Sequence, residues 1–282
     1  MVEKMNSNEL LKKIQSMFQE TGISELADAE WIMCEILNIK RSFIPFYGEI
    51  SAENVQKIMD AVSKRLMFVP LAYIFGKTDF RGYNFKVSKD TLIPRLDTEV
   101  LIEKVLKEIK EKQAQRVLDI GTGSGAIAIV LAKESNAKVV AVDVSEGALE
   151  IARENAKENH ADVQFIKSDV FSNLKGEKFD FIVSNPPYIE TAVIDTLSNE
   201  VKNNEPILAL DGGSDGLYFY RRIVEESPNY LNHQGMLFFE IGYDQGEKVK
   251  GLMKEKFKKI EVIKDWEDND RVVCGELKWL KD

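Results

Sequence analysis

The sequence predicts an α/β fold: a doubly wound, mostly parallel sheet, preceded by a small helical domain and a β-hairpin linker. Three features carry that prediction. From Arg116 onward, short Val- and Ile-rich runs alternate with helical stretches of roughly 10 to 15 residues, the pattern of successive βαβ units. Before residue 75 the apolar spacing is helical. Between the two lies "YIFGKTDFRGYNFKV", where aromatic and β-branched residues broken by Gly76 and Gly82 spell a hairpin. A chain of 282 residues is long enough for two domains, and a hydrophobic content of 44% can supply a core to each. The expected boundaries are 1–75 for the helical domain, 76–100 for the hairpin linker and 101–282 for the α/β domain.

In chain order, the first helix is expected to carry Leu10, Leu11, Ile14, Met17 and Phe18 on one face, with Asn6 and Glu9 spaced as a cap and Gly22 as its stop. A second is expected from Ser24 through "ELADAEWIMCEIL". A third, capped by Ser51, carries the stripe Val55, Ile58, Met59, Val62 and Leu66. Each apolar stripe needs another element to cover it, so the three imply a bundle. In the second half the strands are "RVLDIG", "KVVAVDVS", "DVQFIKSDV" and "FDFIVSN", with "AIAIVLAKES" and "EGALEIARENAKEN" as the first crossover helices. After the strand "GMLFFEIG" and a helix through Lys256, the rhythm changes. "KKIEVIKDW" and "RVVCGELKW" follow one another with only a loop between, which predicts an antiparallel hairpin at the sheet edge. A nicotinamide-binding domain would continue with βα units, so this ending favours a different nucleotide fold.

A formal charge of -9 argues against a protein that wraps nucleic acid, because phosphate binding needs a concentrated positive field. The lysines between Lys248 and Lys264 accompany Val249, Leu252, Met253 and Phe257 and read as the solvated face of an amphipathic helix. No apolar run approaches the roughly 18 residues of a membrane span, and the start "MVEKMNSNEL" is polar, so a soluble, cytoplasmic protein is expected. Cys34 and Cys274 stand in no metal or redox spacing and read as buried thiols in a reducing compartment, with no metal expected.

"LDIGTGSGA" follows the first strand of the sheet and opens the next helix. Gly121, Gly123 and Gly125, with Thr122 and Ser124 between them, permit positive φ and a close approach of backbone to ligand. By spacing alone the loop is ambiguous, since Gly121, Gly123 and Ala126 also satisfy the dinucleotide pattern. Asp143 ends the second strand, where its carboxylate can accept hydrogen bonds from ribose hydroxyls or cap the helix starting near Ser145. Asp169, at the end of the third, offers an acceptor for an adenine amino group, with Val170 and Phe171 as apolar cover for the ring. In a doubly wound sheet these strand ends share one edge, where ligands bind.

From Arg116 onward the chain resembles a class I S-adenosylmethionine-dependent methyltransferase. The resemblance implies that Gly121 to Gly125 wrap the methionine end of the cofactor, Asp143 holds the ribose, Asp169 and Val170 hold the adenine, and Asp119 orients the loop. The terminal hairpin resembles that family's reversed seventh strand. Asn185, Pro186, Pro187 and Tyr188, at the end of the fourth strand, resemble the signature of enzymes that methylate planar nitrogens, either exocyclic amines of bases or the side-chain amide of glutamine. Such a nitrogen is a poor nucleophile because its lone pair is delocalised. Two acceptors on its protons, the Asn185 side-chain oxygen and the Pro186 carbonyl, would turn that lone pair toward the methyl donor. Each proline fixes its own φ and biases the residue before it to extended backbone, which preorganises the pair, and Tyr188 offers a flat face.

"PLAYIFGKTDFRGYNFKV", "LIPRLDTE" and "EPILALDGGSDGLYFYRRI" narrow the resemblance to the glutamine N5-methyltransferases of peptide-chain release factors, over nearly the whole chain. That family implies the glutamine of the Gly-Gly-Gln loop as substrate, the release factor as partner and the helical domain as its recognition module. Leu96 and Asp97 stand where the family commonly has Pro and Glu. Arg221 and Arg222 are candidate partner contacts.

Overall fold

A computed structural model describes residues 3–23 and 27–278. They divide into two compact units, Met1–Gly76 and Lys77–Asp282.

The first unit contains α1 (Ser7–Thr21), α2 (Ala27–Leu37), α3 (Ala52–Leu66) and α4 (Leu71–Phe75). Asn6 caps α1 by accepting from the Asn8 N–H, and Gly22 ends it at φ 78°, a left-handed conformation that glycine adopts without a Cβ penalty. Ser51 caps α3 through the Asn54 N–H. Leu10, Ile14 and Phe18 of α1 meet Ile32 and Met33 of α2 and Val55, Ile58 and Val62 of α3 in one buried cluster, with Leu11, Met17, Met59 and Leu66 only partly covered. The start of the expected second helix, residues 24–26, lies outside the described residues. Cys34 is half-buried rather than buried, while Cys274 is buried, and both thiols are free.

The second unit opens with the hairpin Lys77–Phe80 and Tyr83–Lys86, paired antiparallel. It is not a free-standing linker, because Phe80 and Phe85 are buried in the same cluster as Leu101, Val105 and Val117. The sheet that follows comprises β1 (Arg116–Ile120), β2 (Lys138–Asp143), β3 (Val163–Lys167), β4 (Phe179–Ser184), β5 (Leu231–Glu240), β6 (Phe257–Lys264) and β7 (Asp270–Leu277). Their order is β6-β7-β5-β4-β1-β2-β3. The core pairs are parallel, and β7 runs antiparallel to both of its neighbours.

Successive residues of the central strands point to opposite faces and both faces are apolar, so helices must cover both. Val117, Ala141, Val183 and Phe238 join one cluster with Leu101 and Val105 of α5 (Thr98–Lys112) and with α6 (Ala126–Glu134). Leu118, Val142, Ile182 and Phe239 join the other, with Tyr220 and Ile223 of α10 (Tyr218–Glu226) and Val249 and Met253 of α11 (Gly246–Met253). The remaining helices are α7 (Glu146–Glu158), α8 (Asn199–Asn204) and α9 (Ile207–Leu210).

The terminal hairpin is present, but it is turned inward. β7 takes the inner place beside β5, and β6 forms the edge. Burial explains the order: Val272, Val273 and Cys274 are consecutive buried residues suited to an interior strand, while β6 exposes Lys258, Lys259 and Lys264. The lysine-rich segment likewise divides, since α11 ends at Met253 and Phe257 already begins β6. Among the described residues no helix is long and apolar enough to cross a membrane.

Candidate active site

The C-terminal ends of β1, β2 and β4 open onto one cavity, whose lining includes Gly121, Thr122, Gly123 and Ser124, then Asp143, Ser168, Asp169 and Val170, and finally Ser184, Asn185, Pro186 and Pro187. Leu92, Pro94 and Arg95 from the segment leading into α5, Thr98 at its start, and Leu208, Phe219 and Ile223 add to the wall.

The glycine loop is tied down at both ends. The N–H groups of Gly121 and Thr122 both donate to the Val142 carbonyl, at 2.9 and 3.0 Å, which holds the loop to β2. Gly121 (φ 72°) and Gly123 (φ 56°) are left-handed with open space where a Cβ would stand, whereas a Cβ on Gly125 would meet Ile129 at 3.0 Å and Ala152 at 3.2 Å. Gly125 therefore serves the packing of α6 against α7, and it does not line the cavity. Asn155 on α7, fully buried, donates to the Ser124 carbonyl at 2.9 Å and exchanges bonds with the backbone of Lys86, joining loop and hairpin.

Asp143 accepts from the Gly123 N–H and the Ser145 N–H, each at 2.9 Å, so both oxygens are fixed while each keeps a lone pair for a ligand hydroxyl. It does not cap α7; Ser145 does so itself through the Ala148 N–H. Burial raises the Asp143 pKa, against the hydrogen bonds from Ser145 and Gly123. Asp119 lies fully buried beneath the loop, with Oδ2 accepting from the Thr122 hydroxyl at 2.6 Å and Oδ1 unpartnered among the described residues. Burial pushes its pKa up to about 7, with the Thr122 bond opposing and the Asp143 charge adding to the rise.

Asp169 stands two residues beyond the end of β3, and its carboxylate is already engaged by Arg222 at 2.7 Å. Arg221 pairs with Asp215, so neither arginine is an uncommitted surface charge. Val170 lines the cavity at φ 52°, a strained conformation for a β-branched residue. The Ser168 hydroxyl donating to its carbonyl at 2.9 Å helps to hold it. Phe171 is a correction to the sequence reading: it is fully buried and stacked on Tyr230 with ring centroids 4.4 Å apart, so it has no face to offer a nucleobase. The chain reverses at Val170, which turns the next side chain under the sheet. Phe219 and Ile223 of α10 supply apolar wall instead.

Asn185 and Pro186 follow β4 directly, and the Ser184 hydroxyl donates to the Ile120 carbonyl at 2.8 Å, fixing the end of β4 to the end of β1. Asn185 Nδ2 lies 3.5 Å from Thr98 Oγ1. Tyr188 is off the cavity wall, half-buried against the second core cluster, and burial with the nearby Glu240 pushes its pKa up to about 12. Its backbone is clamped: a Cβ on Gly212 would lie 2.7 Å from Tyr188 Cα, and one on Gly216 would collide with the Tyr188 carbonyl oxygen. Gln245 donates to that carbonyl at 3.0 Å. Gly212, Gly216 and Gln245 were not singled out from the sequence by chemistry, although "LDGGSDG" carried the signal of a crowded backbone. Asp97 pairs with Arg271 at 3.2 Å, so the shortened acid still reaches a cation.

The sheet order with reversed β7, the glycine loop after β1 and the acid closing β2 define a class I S-adenosylmethionine-dependent methyltransferase. Residues 96–213 match the methyltransferase small domain and residues 9–76 the PrmC N-terminal domain. The release factor glutamine methyltransferase of Bacillus anthracis is 41% identical over 283 residues, covering 97% of this chain and 100% of the relative. That of Geobacter sulfurreducens is 41% identical over 254 residues, 89% of each. The chain belongs to the release factor glutamine methyltransferase family. Among solved structures, the hMettl16 catalytic domain in complex with MAT2A 3'UTR hairpin 6 shares the fold at a TM-score of 0.58 and 17% identity, over 79% of this chain and 83% of that one. A methyltransferase from Pyrococcus furiosus does so at 0.53 and 22%, over 71% and 91%.

Proposed function

We propose that this protein methylates the side-chain amide nitrogen of the glutamine in the Gly-Gly-Gln loop of class-1 peptide-chain release factors. The observation that carries the reading is that Asn185 and Pro186 line the same cavity as Gly121, Gly123 and Asp143. S-adenosylmethionine supplies an electrophilic methyl on a sulfonium. The chain's own residues hold and orient. Asp143 binds the ribose hydroxyls, the loop from Gly121 to Ser124 lies along the methionine end, and Asp169 with Val170 receives the adenine.

Asn185 Oδ1 and the Pro186 carbonyl accept from the two amide protons of glutamine. The nitrogen lone pair then faces the methyl, a C–N bond forms as the S–C bond breaks, and one amide proton leaves to solvent. Both acceptors are neutral, so no base is needed before transfer, and their fixed placement is worth several kcal/mol of barrier as an order of magnitude. Pro187 stiffens the pair, and Tyr188 anchors its far end.

The helical unit, residues 1–75, presents the release factor; residues 76–100, expected as a linker, also supply Arg95 and Thr98 to the cavity, and residues 101–282 carry the rest of the catalytic machinery. The formal charge of -9 favours a protein substrate over nucleic acid. Translation factors and two free thiols fit a cytoplasmic setting. The deciding experiment incubates the protein with labelled S-adenosylmethionine and either unmodified release factor or nucleic acid. Label is expected on the glutamine; label on adenine and never on protein would overturn the reading.

A further inference from the structure

Glu240 closes β5 beside the acceptor loop without lining the cavity. Ser184 pairs with Phe239 in the parallel ladder, so the next residues along the two strands, Asn185 and Glu240, come out at the same sheet edge. Glu240 is 2% exposed, and its Oε2 has no hydrogen-bond partner among the described residues. A buried acid with an unpartnered oxygen is costly to a fold, and its retention at this place calls for a reason.

Its polar neighbours include the acceptor loop's Asn185 and the first residue of α5, Thr98. Thr98 and Asn185 are the neutral polar side chains that favour the charged carboxyl, and Asn185 Nδ2 is itself 3.5 Å from Thr98 Oγ1. The charged and titratable neighbours are Arg271 and Asp97, which pair with each other at 3.2 Å, together with Tyr188 and Tyr220. Tyr220 donates its hydroxyl to the Glu240 backbone carbonyl at 2.9 Å.

We propose that Glu240 is a positioning residue that sets which way round the Asn185 amide sits, so that its oxygen rather than its nitrogen faces the nitrogen to be methylated. The inference rests on the function proposed above. The two orientations of an asparagine amide have nearly the same shape, so hydrogen bonding must choose between them. An ionised carboxylate accepts and cannot donate. Asn185 must therefore turn Nδ2 toward Glu240, directly or through Thr98, whose hydroxyl accepts from Nδ2 while donating its own proton to the carboxylate. Oδ1 is left pointing at the substrate. A protonated Glu240 can donate, which removes the bias. Burial pushes the Glu240 pKa up to about 7, with Thr98 and Arg271 acting against the rise. The ionised, correctly oriented form therefore grows in as pH rises through that region.

The test uses the full chain with S-adenosylmethionine and unmodified release factor, following kcat from pH 5.5 to 9, and binding of S-adenosylmethionine by calorimetry. Glu240→Gln can donate as well as accept, so kcat at pH 8 is expected to fall at least tenfold and the acid limb of the wild-type profile near pH 7 to disappear. Cofactor affinity should stay within twofold, and Glu240→Asp should restore part of the rate together with an acid limb. Thr98→Val, which removes the relay without touching the acid, should also lower kcat and gives the answer if Glu240→Gln does not fold. Wild-type kcat in both variants, or a lowered kcat with the acid limb intact in Glu240→Gln, overturns the proposal. Absence of glutamine methylation by the wild-type protein would instead overturn the function it rests on.

Discussion

The Gln245 side-chain nitrogen donates to the Tyr188 carbonyl at 3.0 Å and reaches the Gly216 carbonyl at 3.3 Å, while its oxygen accepts from the Gly242 N–H at 3.0 Å. One buried amide thus ties the acceptor loop to the turn after β5. Gln245→Leu leaves those backbone groups unsatisfied. Each such group costs roughly 1 to 3 kcal/mol, so a loss of at least about 2 kcal/mol is expected in denaturant unfolding. Turnover should fall with it while cofactor affinity is retained.

Gly216 and Gly176 are both left-handed, at φ 68° and 80°, and separate two causes of damage. At Gly176 a methyl meets open space, so Gly176→Ala should lose only the roughly 1 to 2 kcal/mol of the left-handed conformation and keep full activity. Gly216→Ala drives a methyl into the Tyr188 carbonyl and should lower stability by more than Gly176→Ala does and reduce kcat as well. Parallel thermal melts and turnover measurements on the two variants check this.

Asn185→Ala should abolish methyl transfer and leave S-adenosylmethionine binding within a few-fold, measured by calorimetry on a variant of unchanged melting temperature. Near-normal turnover would remove the paired-acceptor mechanism.

Asp143→Ala removes an acceptor already fixed by the Gly123 and Ser145 N–H groups. A lost charge-assisted bond is worth roughly 1.5 to 3 kcal/mol, so Kd for S-adenosylmethionine should rise about 10- to 100-fold. Unchanged affinity would put the ribose contact elsewhere.

Asp119 gives a pH signature. Its folded pKa of about 7 lies above the ordinary 3.8, so the folded state holds the proton more tightly than the unfolded one. Its contribution is fully favourable below the ordinary value and is lost as pH rises from about 4 to 7, by up to roughly 4 kcal/mol. Asp119→Asn keeps an acceptor for Thr122 and lacks the charge, so it should gain stability relative to wild type across that interval. Parallel wild-type and variant curves from pH 4 to 7 would contradict the assignment.

The alternation from Arg116 and the punctuation by Asn6, Gly22 and Ser51 made the elements legible, because periodicity and caps are local properties. The meeting of Gly121, Asp143 and Asn185 at one edge was legible too, since parallel strands align their C-terminal ends. What escaped depends on where a side chain turns after its strand ends. Phe171 reads as a ring beside an acid, yet the left-handed Val170 sends it into the core. Gly125 belongs to the loop motif but answers to Ala152, distant in sequence. Glu240 and Gln245 sit in "FFEIGYDQ" with no sign of the tyrosine and asparagine they face, because no local pattern encodes a contact across the sheet.

The clamp on Tyr188 also bears on how far the reaction can run. Gly212 and Gly216 pack so closely on the backbone of Pro187 and Tyr188 that even a Cβ would collide there. An amide that has received one methyl has one N–H remaining and can satisfy only one of two fixed acceptors, while its new methyl meets the other. Under the mechanism proposed above, a loop that cannot splay therefore counts: it would admit the unmodified amide, strand a polar acceptor against the product, and end the chemistry at monomethylation.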